Sequence, residues 1–538
     1  MRSEPHLRPR PANYRPLTPV DLLIRALDAH PAAPAVVWRD ERLTWSAFGD
    51  VVLRLVAALK HLGPGDVVSV MCPNRPEMLA AHFAVPALGA VLNAVNTRLD
   101  ADAVAWILDH CESRLLIADP ANAPVATAAA RAARVPLLIL AEDGRSGDRL
   151  ALLEGPAPAT DLTAAVTDEW QPIALNYTSG TTGHPKGVVM HHRGAYLNAL
   201  GNVAALGLSR ASHYLWTLPM FHCNGWSHTW AVTAAGGVHV CLERVDPAEI
   251  LARLEAERIT HMSCAPVVLY MLLNHPAANV YRAETRVTVA SGGAAPTDTL
   301  IRRMGELGFD FLHLYGMTES YGPTSMKDLD SDEAGLDPAA RATLLARQGV
   351  RHTTANGIAV VAADGTPVPR YRETLPHGGE TVGEIVLRGN TLTAGYYRDA
   401  EATEAAFEGG VFHTGDLAVV HPNGDIEIRD RAKDVIITGG ENVSSLEIEA
   451  ALHRHPDIVL AAVVARPHQK WGETPMAFIE ARDDAVLDPA ALVEFCGAHL
   501  AGFKIPRAWA FGELPKTATG KIQKFLLRDR ARTEAADD

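Results

Sequence analysis

The chain has 538 residues, of which 48% are hydrophobic and 21% are charged, with a formal net charge of −14. This length exceeds one hydrophobic core and predicts roughly two to four domains. The composition excludes wholesale disorder, and the acidic balance disfavours a nucleic-acid-binding surface. The six cysteines lie far apart, without disulfide or metal-binding spacing, and neither a secretory leader nor a membrane-length apolar run is found. We therefore expect a cytoplasmic protein without a membrane span that acts on a small molecule.

The predicted elements alternate between helices and strands over the first part of the chain. Between residues 19 and 166, helical stretches alternate with short apolar runs at 67–71, 115–118 and 136–140, a pattern typical of a mostly parallel sheet. A second alternating set follows residue 187. We therefore expect an α/β fold in which parallel-sheet subdomains form a large N-terminal domain.

The rest of the chain predicts two smaller units. Short strands between residues 350 and 428 indicate a small β subdomain that completes an N-terminal domain of residues 1–430. The charged cluster at 429–434 is typical of a linker, which places a hinge near Lys433. Residues 431–538 alternate helices and strands over about a hundred residues, a normal domain size, and predict a smaller, mobile α+β C-terminal domain.

One segment, residues 177–187, concentrates glycines and hydroxyl side chains with one lysine in the sequence Tyr-Thr-Ser-Gly-Thr-Thr-Gly-His-Pro-Lys-Gly. Glycines let the backbone approach a ligand closely, so several N–H groups can point at one anion. The lysine does not directly follow a glycine, as it does in the common nucleoside-triphosphatase loop. An ordinary flexible turn is the alternative interpretation. The residues of this candidate phosphate loop are Thr178, Ser179, Gly180, Thr181, Thr182, Gly183 and Lys186.

Four further motifs follow the phosphate loop. They are Tyr-Gly-Met-Thr-Glu-Ser at 315–320, Thr-Gly-Asp at 414–416, a charged stretch containing Gly-Gly-Glu-Asn-Val at 429–449, and Pro-Lys-Thr-Ala-Thr-Gly-Lys at 515–521. In this order, the five motifs resemble those of the adenylate-forming acyl-CoA synthetases, whose superfamily includes nonribosomal adenylation domains and beetle luciferases. The resemblance covers roughly residues 19–530.

The resemblance implies a ligase reaction with two halves. A carboxylate first attacks the α-phosphorus of ATP to form acyl-AMP and pyrophosphate, and the thiolate of CoA then displaces AMP to form a thioester. Because the first half brings two anions together, the site must neutralise charge and hold an in-line geometry. ATP, Mg²⁺, CoA and a carboxylic acid are the implied cofactors and partners, and a homodimer is compatible with the resemblance. The alternative is a relative that loads a carrier protein or stops at acyl-AMP.

The resemblance also implies the residues of the nucleotide site. The phosphate loop would hold the β- and γ-phosphates, and Glu319 with Thr182 would bind Mg²⁺, a hard ion that prefers oxygen ligands. Asp416 and Arg431 would bind the ribose hydroxyls, and Tyr315 would stack on adenine. The other implied nucleotide contacts are Gly292, Gly293, Ala294, Gly316, Met317, Thr318 and Ile428.

The implied catalytic residues are Lys521, Glu319 and His222. The cation of Lys521 would bridge the carboxylate and the α-phosphate as negative charge shifts between them. His222 resembles the acyl-site histidine of the family, which can shift between the half-reactions, although a buried core histidine is the simpler interpretation. The residues expected at the acyl pocket are His222, Cys223, Asn224, Gly225, Trp226 and Ser320.

The second half-reaction implies movement of the C-terminal domain. Rotation near Lys433 would withdraw Lys521 and bring Gly439 and Gly440 to the site, where a tunnel edged by glycines suits the thin pantetheine arm. The other implied CoA contacts are Arg98, Trp471 and Lys504.

Some lysines and histidines are not expected to act in the site. We predict that Lys516 and Lys524 are solvated and that His191 and His192 lie on a helix surface. A phosphotransferase or motor-type nucleoside triphosphatase is disfavoured by the position of the loop lysine. A non-catalytic sensor is disfavoured because the glutamate and lysine motifs are complete.

Overall fold

The computed structural model describes residues 5–143, 151–178, 185–279, 281–282, 285–294, 296–327, 329–362, 381–482, 485–517 and 521–537. The elements up to residue 178 are the 3₁₀ helix Pro5–Leu7, α1 (Val20–Ala29), β1 (Pro34–Trp38), β2 (Glu41–Thr44), α2 (Trp45–Ala58), β3 (Val67–Met71), α3 (Pro76–Ala87), β4 (Val91–Ala94), α4 (Ala101–His110), β5 (Ser113–Ala118), α5 (Ala123–Ala133), β6 (Leu137–Ile139) and β7 (Pro172–Thr178).

The elements between the phosphate loop and the end of the second large sheet are β8 (Lys186–His191), α6 (His192–Leu206), β9 (His213–Trp216), α7 (Cys223–Trp226), α8 (His228–Ala235), β10 (Val238–Cys241), α9 (Pro247–Ala256), β11 (His261–Cys264), α10 (Pro266–Asn274), the 3₁₀ helix Pro276–Asn279, β12 (Val287–Ser291), α11 (Asp298–Glu306), β13 (Phe309–Met317), the 3₁₀ turn Thr318–Ser320, β14 (Gly322–Met326), α12 (Ser331–Ala334), α13 (Pro338–Leu345) and β15 (Val350–Arg351).

The last elements form the β subdomain and the C-terminal domain. They are β16 (Gly357–Val361), β17 (Gly383–Arg388), β18 (Gly395–Tyr396), α14 (Ala400–Ala406), the 3₁₀ helix Glu408–Gly410, β19 (Phe412–Val420), β20 (Ile426–Arg431), β21 (Ile436–Thr438), β22 (Glu441–Val443), α15 (Ser445–Leu452), β23 (Ile458–His468), β24 (Gly472–Ala481), α16 (Pro489–Gly497), the 3₁₀ helix Gly502–Lys504, β25 (Ala508–Phe511) and α17 (Lys524–Asp537).

Two large sheets have parallel strands at their centres. Within the described residues, one has seven strands in the order β18-β8-β7-β4-β3-β5-β6, and the other has nine in the order β15-β14-β13-β12-β11-β9-β10-β1-β2. Antiparallel pairs lie toward the edges. Every residue of β3 is buried, as expected for a parallel strand covered on both faces. The sheets confirm the predicted α/β class.

The two large sheets share one hydrophobic core. Helix α3 is buried at every position, which is typical of a helix enclosed in a core. The same buried cluster contains Val68 from the seven-stranded sheet, Phe83 from α3 and Trp216 from the nine-stranded sheet. The sheets therefore hold a fixed position relative to each other, and the loops at their common edge can form one site.

The β subdomain and the C-terminal domain are separate layers. In the described part of the chain, β16, β17, β19 and β20 form an antiparallel sheet, and β22, β21, β24 and β23 form another, with β25 beside β24. The C-terminal sheet packs against its own helices in two hydrophobic clusters. The smaller C-terminal domain is thus confirmed, whereas the limits at residue 430 and the hinge stay predictions. None of the described helices is long and apolar enough to cross a membrane.

The C-terminal domain rests on α10. The rings of Tyr270 and His453 stack with centroids 5.6 Å apart, and Arg482 Nη2 donates to Asn274 Oδ1 at 3.5 Å. These contacts define the orientation of the two domains in this structure.

The predictions for two surface groups were wrong. His191 and His192 are fully buried, because both have partners inside the protein. His191 Nε2 lies 3.0 Å from the Leu392 carbonyl oxygen, and His192 Nδ1 lies 2.9 Å from Thr18 Oγ1. Neither Lys524 nor Lys516 is a solvated lysine. Lys524 Nζ lies 2.8 Å from Glu449 Oε1, and Lys516 Nζ lies 2.6 Å from Glu480 Oε2, both in largely buried ion pairs. Polar groups of this kind are buried when they have partners, and the partners are distant in the sequence.

Candidate active site

A buried carboxylate, Asp416, lies at the centre of the predicted nucleotide side of the cleft. The register of β19 and β20 places Asp416 opposite Arg431, whose Nε lies 3.0 Å from Asp416 Oδ1. Tyr315 in β13 donates its hydroxyl to Asp416 Oδ2 at 2.8 Å. Burial, followed by the charge of Asp416, raises the pKa of Tyr315 well above its ordinary value, so the phenol stays a donor. The carboxylate is therefore fixed and can accept hydrogen bonds from nearby hydroxyls.

A second acidic group lies in the turn between β13 and β14. Glu319 is 8% exposed, and Tyr396 donates its hydroxyl to Glu319 Oε1 at 2.9 Å. The backbone N–H of Thr393 donates to the Glu319 carbonyl at 2.7 Å. Burial is the main reason that the pKa of Glu319 is raised, so a cation beside the carboxylate would be favoured. Sequence reasoning missed Tyr396, because it stands outside the five motifs.

Lys186 lies on the face of Tyr396, with Nζ 4.8 Å from the ring centroid. It is the cross-strand partner of Thr178 at the end of the β7–β8 hairpin, and β18, which contains Tyr396, pairs with β8. The sheet thus brings the base of the phosphate loop next to Glu319. The predicted loop residues Ser179, Gly180, Thr181, Thr182 and Gly183 lie outside the described residues.

Lys521 reaches the cleft from the C-terminal domain. Its side chain is exposed to the open cleft, yet the surrounding protein removes enough water to lower its pKa to about 8. Repulsion from Arg431 lowers that pKa further, and attraction to Asp416 opposes the change. Burial, followed by the charge of Lys521, lowers the pKa of His222 to about 4. Because such effects act at short range, the predicted catalytic lysine, ribose residues and acyl-site histidine face the same cleft.

The predicted acyl side of the cleft begins at His222 and continues into a left-handed turn. Residues 223–227 all have positive φ, between 43° and 62°. This conformation costs roughly 1–2 kcal/mol for each residue that has a Cβ, and only Gly225 of the five lacks one. Cys223 Sγ lies 3.0 Å from Thr318 Oγ1, and burial raises the Cys223 pKa to about 12. The turn is therefore joined to the segment that holds Glu319.

Trp226 is wedged between two strands. A Cβ built on Gly292 would lie 3.2 Å from Trp226 Cη2 and 2.5 Å from the carbonyl oxygen of Leu314, and a Cβ on Gly322 would lie 3.0 Å from Trp226 Cα. Both positions leave room only for glycine. Gly293 and Ala294, which follow, are exposed along this edge of the cleft.

Several other predicted residues have structural partners. Ser320 Oγ accepts the N–H of Met317 at 3.1 Å and donates to the Gly322 carbonyl at 2.7 Å. Asn224 Oδ1 accepts from Asn176 Nδ2 at 2.5 Å. Since these side chains already bond to protein, their contact with an acid stays a prediction.

The remaining nucleotide candidates lie where β13, β14 and the β subdomain meet. A Cβ on Gly316 would lie 1.8 Å from the carbonyl oxygen of Gly322. Met317 and Ile428 pack against the core of the β subdomain, and the N–H of Ile428 donates to Gln348 Oε1 at 2.5 Å. These residues hold the wall of the cleft together.

The predicted CoA residues lie mostly on the C-terminal domain. Gly439 and Gly440 form an exposed turn with φ of 61° and 90°, and the N–H of Gly439 donates to the Trp471 carbonyl at 2.8 Å. Lys504 Nζ lies 2.7 Å from Glu447 Oε1. Arg98 is exposed between β4 and α4 on the N-terminal domain. Lys433 is exposed as well, and burial, followed by repulsion from Arg431, lowers its pKa.

Known proteins identify the family. A model described as AMP-binding enzyme matches residues 23–397, and one described as AMP-binding enzyme C-terminal domain matches residues 447–521. The chain belongs to the family of AMP-binding enzymes. The crystal structure of the anthranilate CoA ligase AuaEII in complex with anthranoyl-AMP shares the fold, with a TM-score of 0.86, 24% identity, and coverage of 98% of this chain and 100% of that one.

Three relatives of this AMP-binding enzyme that are about 40% identical over nearly their full length are CoA ligases. An acetate/butyrate–CoA ligase of Arabidopsis thaliana is 41% identical and covers 97% of this chain and 96% of its own. A trans-cinnamate:CoA ligase of Petunia hybrida is 40% identical, with coverage of 97% and 94%. A 2-methylpropanoate–CoA ligase of Humulus lupulus is 41% identical, with coverage of 98% and 97%. This AMP-binding enzyme is therefore an AMP-forming acyl-CoA ligase whose substrates are ATP, CoA and a small carboxylic acid.

The relatives also correct one prediction. The acetate/butyrate and trans-cinnamate ligases, a butyrate ligase and a probable acyl-activating enzyme are each described as peroxisomal. The prediction of a cytoplasmic protein was therefore wrong. Composition could not show that the cytoplasmic prediction was wrong, because net charge and cysteine spacing are similar for enzymes of the cytoplasm and of the peroxisome.

Proposed function

We propose that this ligase activates short aliphatic acids with ATP and Mg²⁺ and transfers the acyl group to CoA. Acetate, butyrate and 2-methylpropanoate, the acids in the names of relatives, are examples of the class. Trp226 supports this choice, because its indole packs against Gly292 and follows His222 closely in the chain, so it would limit the depth of an acyl pocket there.

The observation that carries the proposal is the set of charges around Lys521. An acid and ATP are both anions, so their reaction needs a cation at the α-phosphate. Lys521 would supply it beside Asp416 and Arg431, and a pKa of about 8 leaves most of this lysine protonated at neutral pH. His222, with a pKa of about 4, is neutral there and can line the acyl site without attracting the carboxylate away.

Lys186 and Glu319 would serve the other end of ATP. The ammonium of Lys186, held near Tyr396, would stay with the departing pyrophosphate. Glu319 fits a Mg²⁺ ligand, since its buried carboxylate is oriented by Tyr396 and favours a cation. The described residues contain no group of three or more metal-binding side chains, so phosphate oxygens and water would complete the shell, as is usual for Mg²⁺. The bound ion would neutralise phosphate charge.

We propose that the C-terminal domain turns near Lys433 between the two half-reactions. Lys521 faces the cleft in this structure, which is the arrangement needed for adenylation. The exposed turn of Gly439 and Gly440 would then replace it, because glycines leave room for a narrow pantetheine arm. The homodimer stays a prediction.

Pyrophosphate release over a panel of acids tests this function. We expect release only when ATP, Mg²⁺ and an acid are present, and thioester only when CoA is added. For hexanoate and trans-cinnamate, kcat/KM should be about tenfold or more below that for butyrate, because the longer or wider chain has to displace Trp226. A preference for trans-cinnamate would contradict the acid class but not the ligase activity. ADP as the main product would contradict adenylation itself.

A further inference from the structure

The left-handed turn at residues 223–227 needs support from outside itself. Four of its five residues carry a Cβ in a conformation that is unfavourable for them. Strained backbone of this kind persists only when the surrounding structure determines it. The turn directly follows His222 and contains Trp226, so whatever holds it also holds the wall of the acyl site.

Two buried asparagines of α6 hold the turn from one side. Asn202 Nδ2 donates to the Trp226 carbonyl at 2.9 Å and to Asn198 Oδ1 at 2.9 Å. Asn198 Nδ2 in turn donates to the Pro323 carbonyl at 3.0 Å. The two asparagines are four residues apart and stand on the same face of α6. They therefore bridge the strained turn to β14, the strand that follows the Glu319 turn.

Other groups hold the rest of the turn. Asn176 in β7 donates to Asn224 Oδ1 at 2.5 Å and accepts the Asn224 N–H at 3.3 Å. Ser227 Oγ donates to the Tyr321 carbonyl at 3.1 Å. Asn202 supplies the bond to the carbonyl of Trp226, the residue whose indole would close the proposed acyl pocket.

We propose that Asn202 is a positioning residue that sets the length of acid the enzyme accepts, by holding the left-handed turn and with it the indole of Trp226. Asn202 is fully buried and would act through the turn rather than by touching substrate or nucleotide. This inference rests on the proposed acyl site at His222 and Trp226. It assigns to α6, a helix outside the five motifs, a part in substrate selection.

The test is Asn202→Leu, which keeps the size of the side chain and removes both donated hydrogen bonds. We expect the KM for the acid that the parent enzyme prefers to rise about tenfold, and the KM for ATP to change less than about twofold. The ratio of kcat/KM between that acid and one two carbons longer should fall by about threefold or more. The released turn would let the indole move, and a longer chain would then fit.

Asn93→Leu is the matched control. Asn93 is equally buried and donates to Ser69 Oγ at 2.8 Å, so the same substitution removes a buried hydrogen bond without touching the turn. It should lower the thermal midpoint as Asn202→Leu does and leave the acid preference unchanged. Equal rises in the KM for acid and ATP, or an unchanged preference in folded Asn202→Leu, would overturn the inference.

Ser227→Ala provides a milder variant if Asn202→Leu does not fold. It removes one hydrogen bond of the turn and should shift the acid preference in the same direction by a smaller factor. An unchanged preference in this variant would count against the inference. Every ratio of kcat/KM is measured relative to the acid that the parent enzyme prefers. If the parent prefers an acid outside the short aliphatic class, this result contradicts the proposed acid class but not the role of Asn202.

Discussion

Charge pairing decides what each lysine can do. Lys504 and Lys516 lie 2.7 and 2.6 Å from the carboxylates of Glu447 and Glu480. Lys521 makes no ion pair within the described part of the chain, although it lies near Asp416. An ammonium in this setting is partly desolvated and can interact strongly with an anionic substrate. The sequence motif alone identified Lys521 as the candidate catalytic lysine. The structure shows in addition that the environment of Lys521 lowers its pKa.

The pKa of Lys521 predicts the pH dependence of adenylation. The folded value is about 8, below the ordinary 10.5, and the charged form is the active one. Therefore kcat/KM for ATP should be level below the pKa and fall as the pH rises through about 8. Lys521→Arg stays charged at these pH values, so the fall should vanish at a lower overall rate. Pyrophosphate release from about pH 6.5 to 9.5 measures both. If kcat/KM of Lys521→Arg still falls as the pH rises through about 8, the titrating group is not Lys521.

At the scale of elements, glycines decide how closely the strands of the cleft approach. The register of β13 and β14 places Gly316 opposite Pro323, and no Cβ could fit at Gly316 beside the carbonyl of Gly322. The turn between these strands contains Glu319, so the close approach also fixes the acidic group. In contrast, Gly305 in α11 faces open space.

Alanine substitutions at Gly316 and Gly305 should have different effects on the stability of the protein. Gly316→Ala should destabilise the protein by about 3 kcal/mol, because a backbone carbonyl cannot move aside without breaking the strand pair. Gly305→Ala should be neutral or stabilise by up to about 1 kcal/mol through helix propensity. Thermal unfolding of both variants checks the pair. A Gly316→Ala protein as stable as its parent would show that the hairpin can open without cost.

At the scale of the whole molecule, the domains meet through contacts that a rotation has to change. Tyr270 stacks on His453 across the domain boundary. Close to the predicted hinge, the N–H of Ser445 donates to Asp430 Oδ2 at 2.6 Å across the same boundary. None of these groups belongs to the cleft. They hold the orientation in which Lys521 faces it.

Separating the half-reactions tests the role of this orientation. Lys521→Ala should slow pyrophosphate release by about 100-fold or more, because a transition-state cation is lost. Thioester formation from supplied acyl-AMP and CoA should stay within about threefold of the parent rate, because Lys521 would have left the cleft by then. Lys516→Ala, which removes a lysine paired with Glu480, is the control and should preserve both rates. Equal losses in both half-reactions of Lys521→Ala would contradict the domain rotation.

The sequence by itself determined the fold class and the chemistry, because both depend on local patterns. Alternating apolar segments predicted the parallel sheets, and short motifs marked Glu319, Asp416 and Lys521. Only the tertiary structure decided which groups support them. Tyr396 is 77 residues from the glutamate it orients, and Asn202 is 24 residues from the carbonyl it holds. Such pairs leave no periodicity in the sequence, since sheet order and helix packing bring them together.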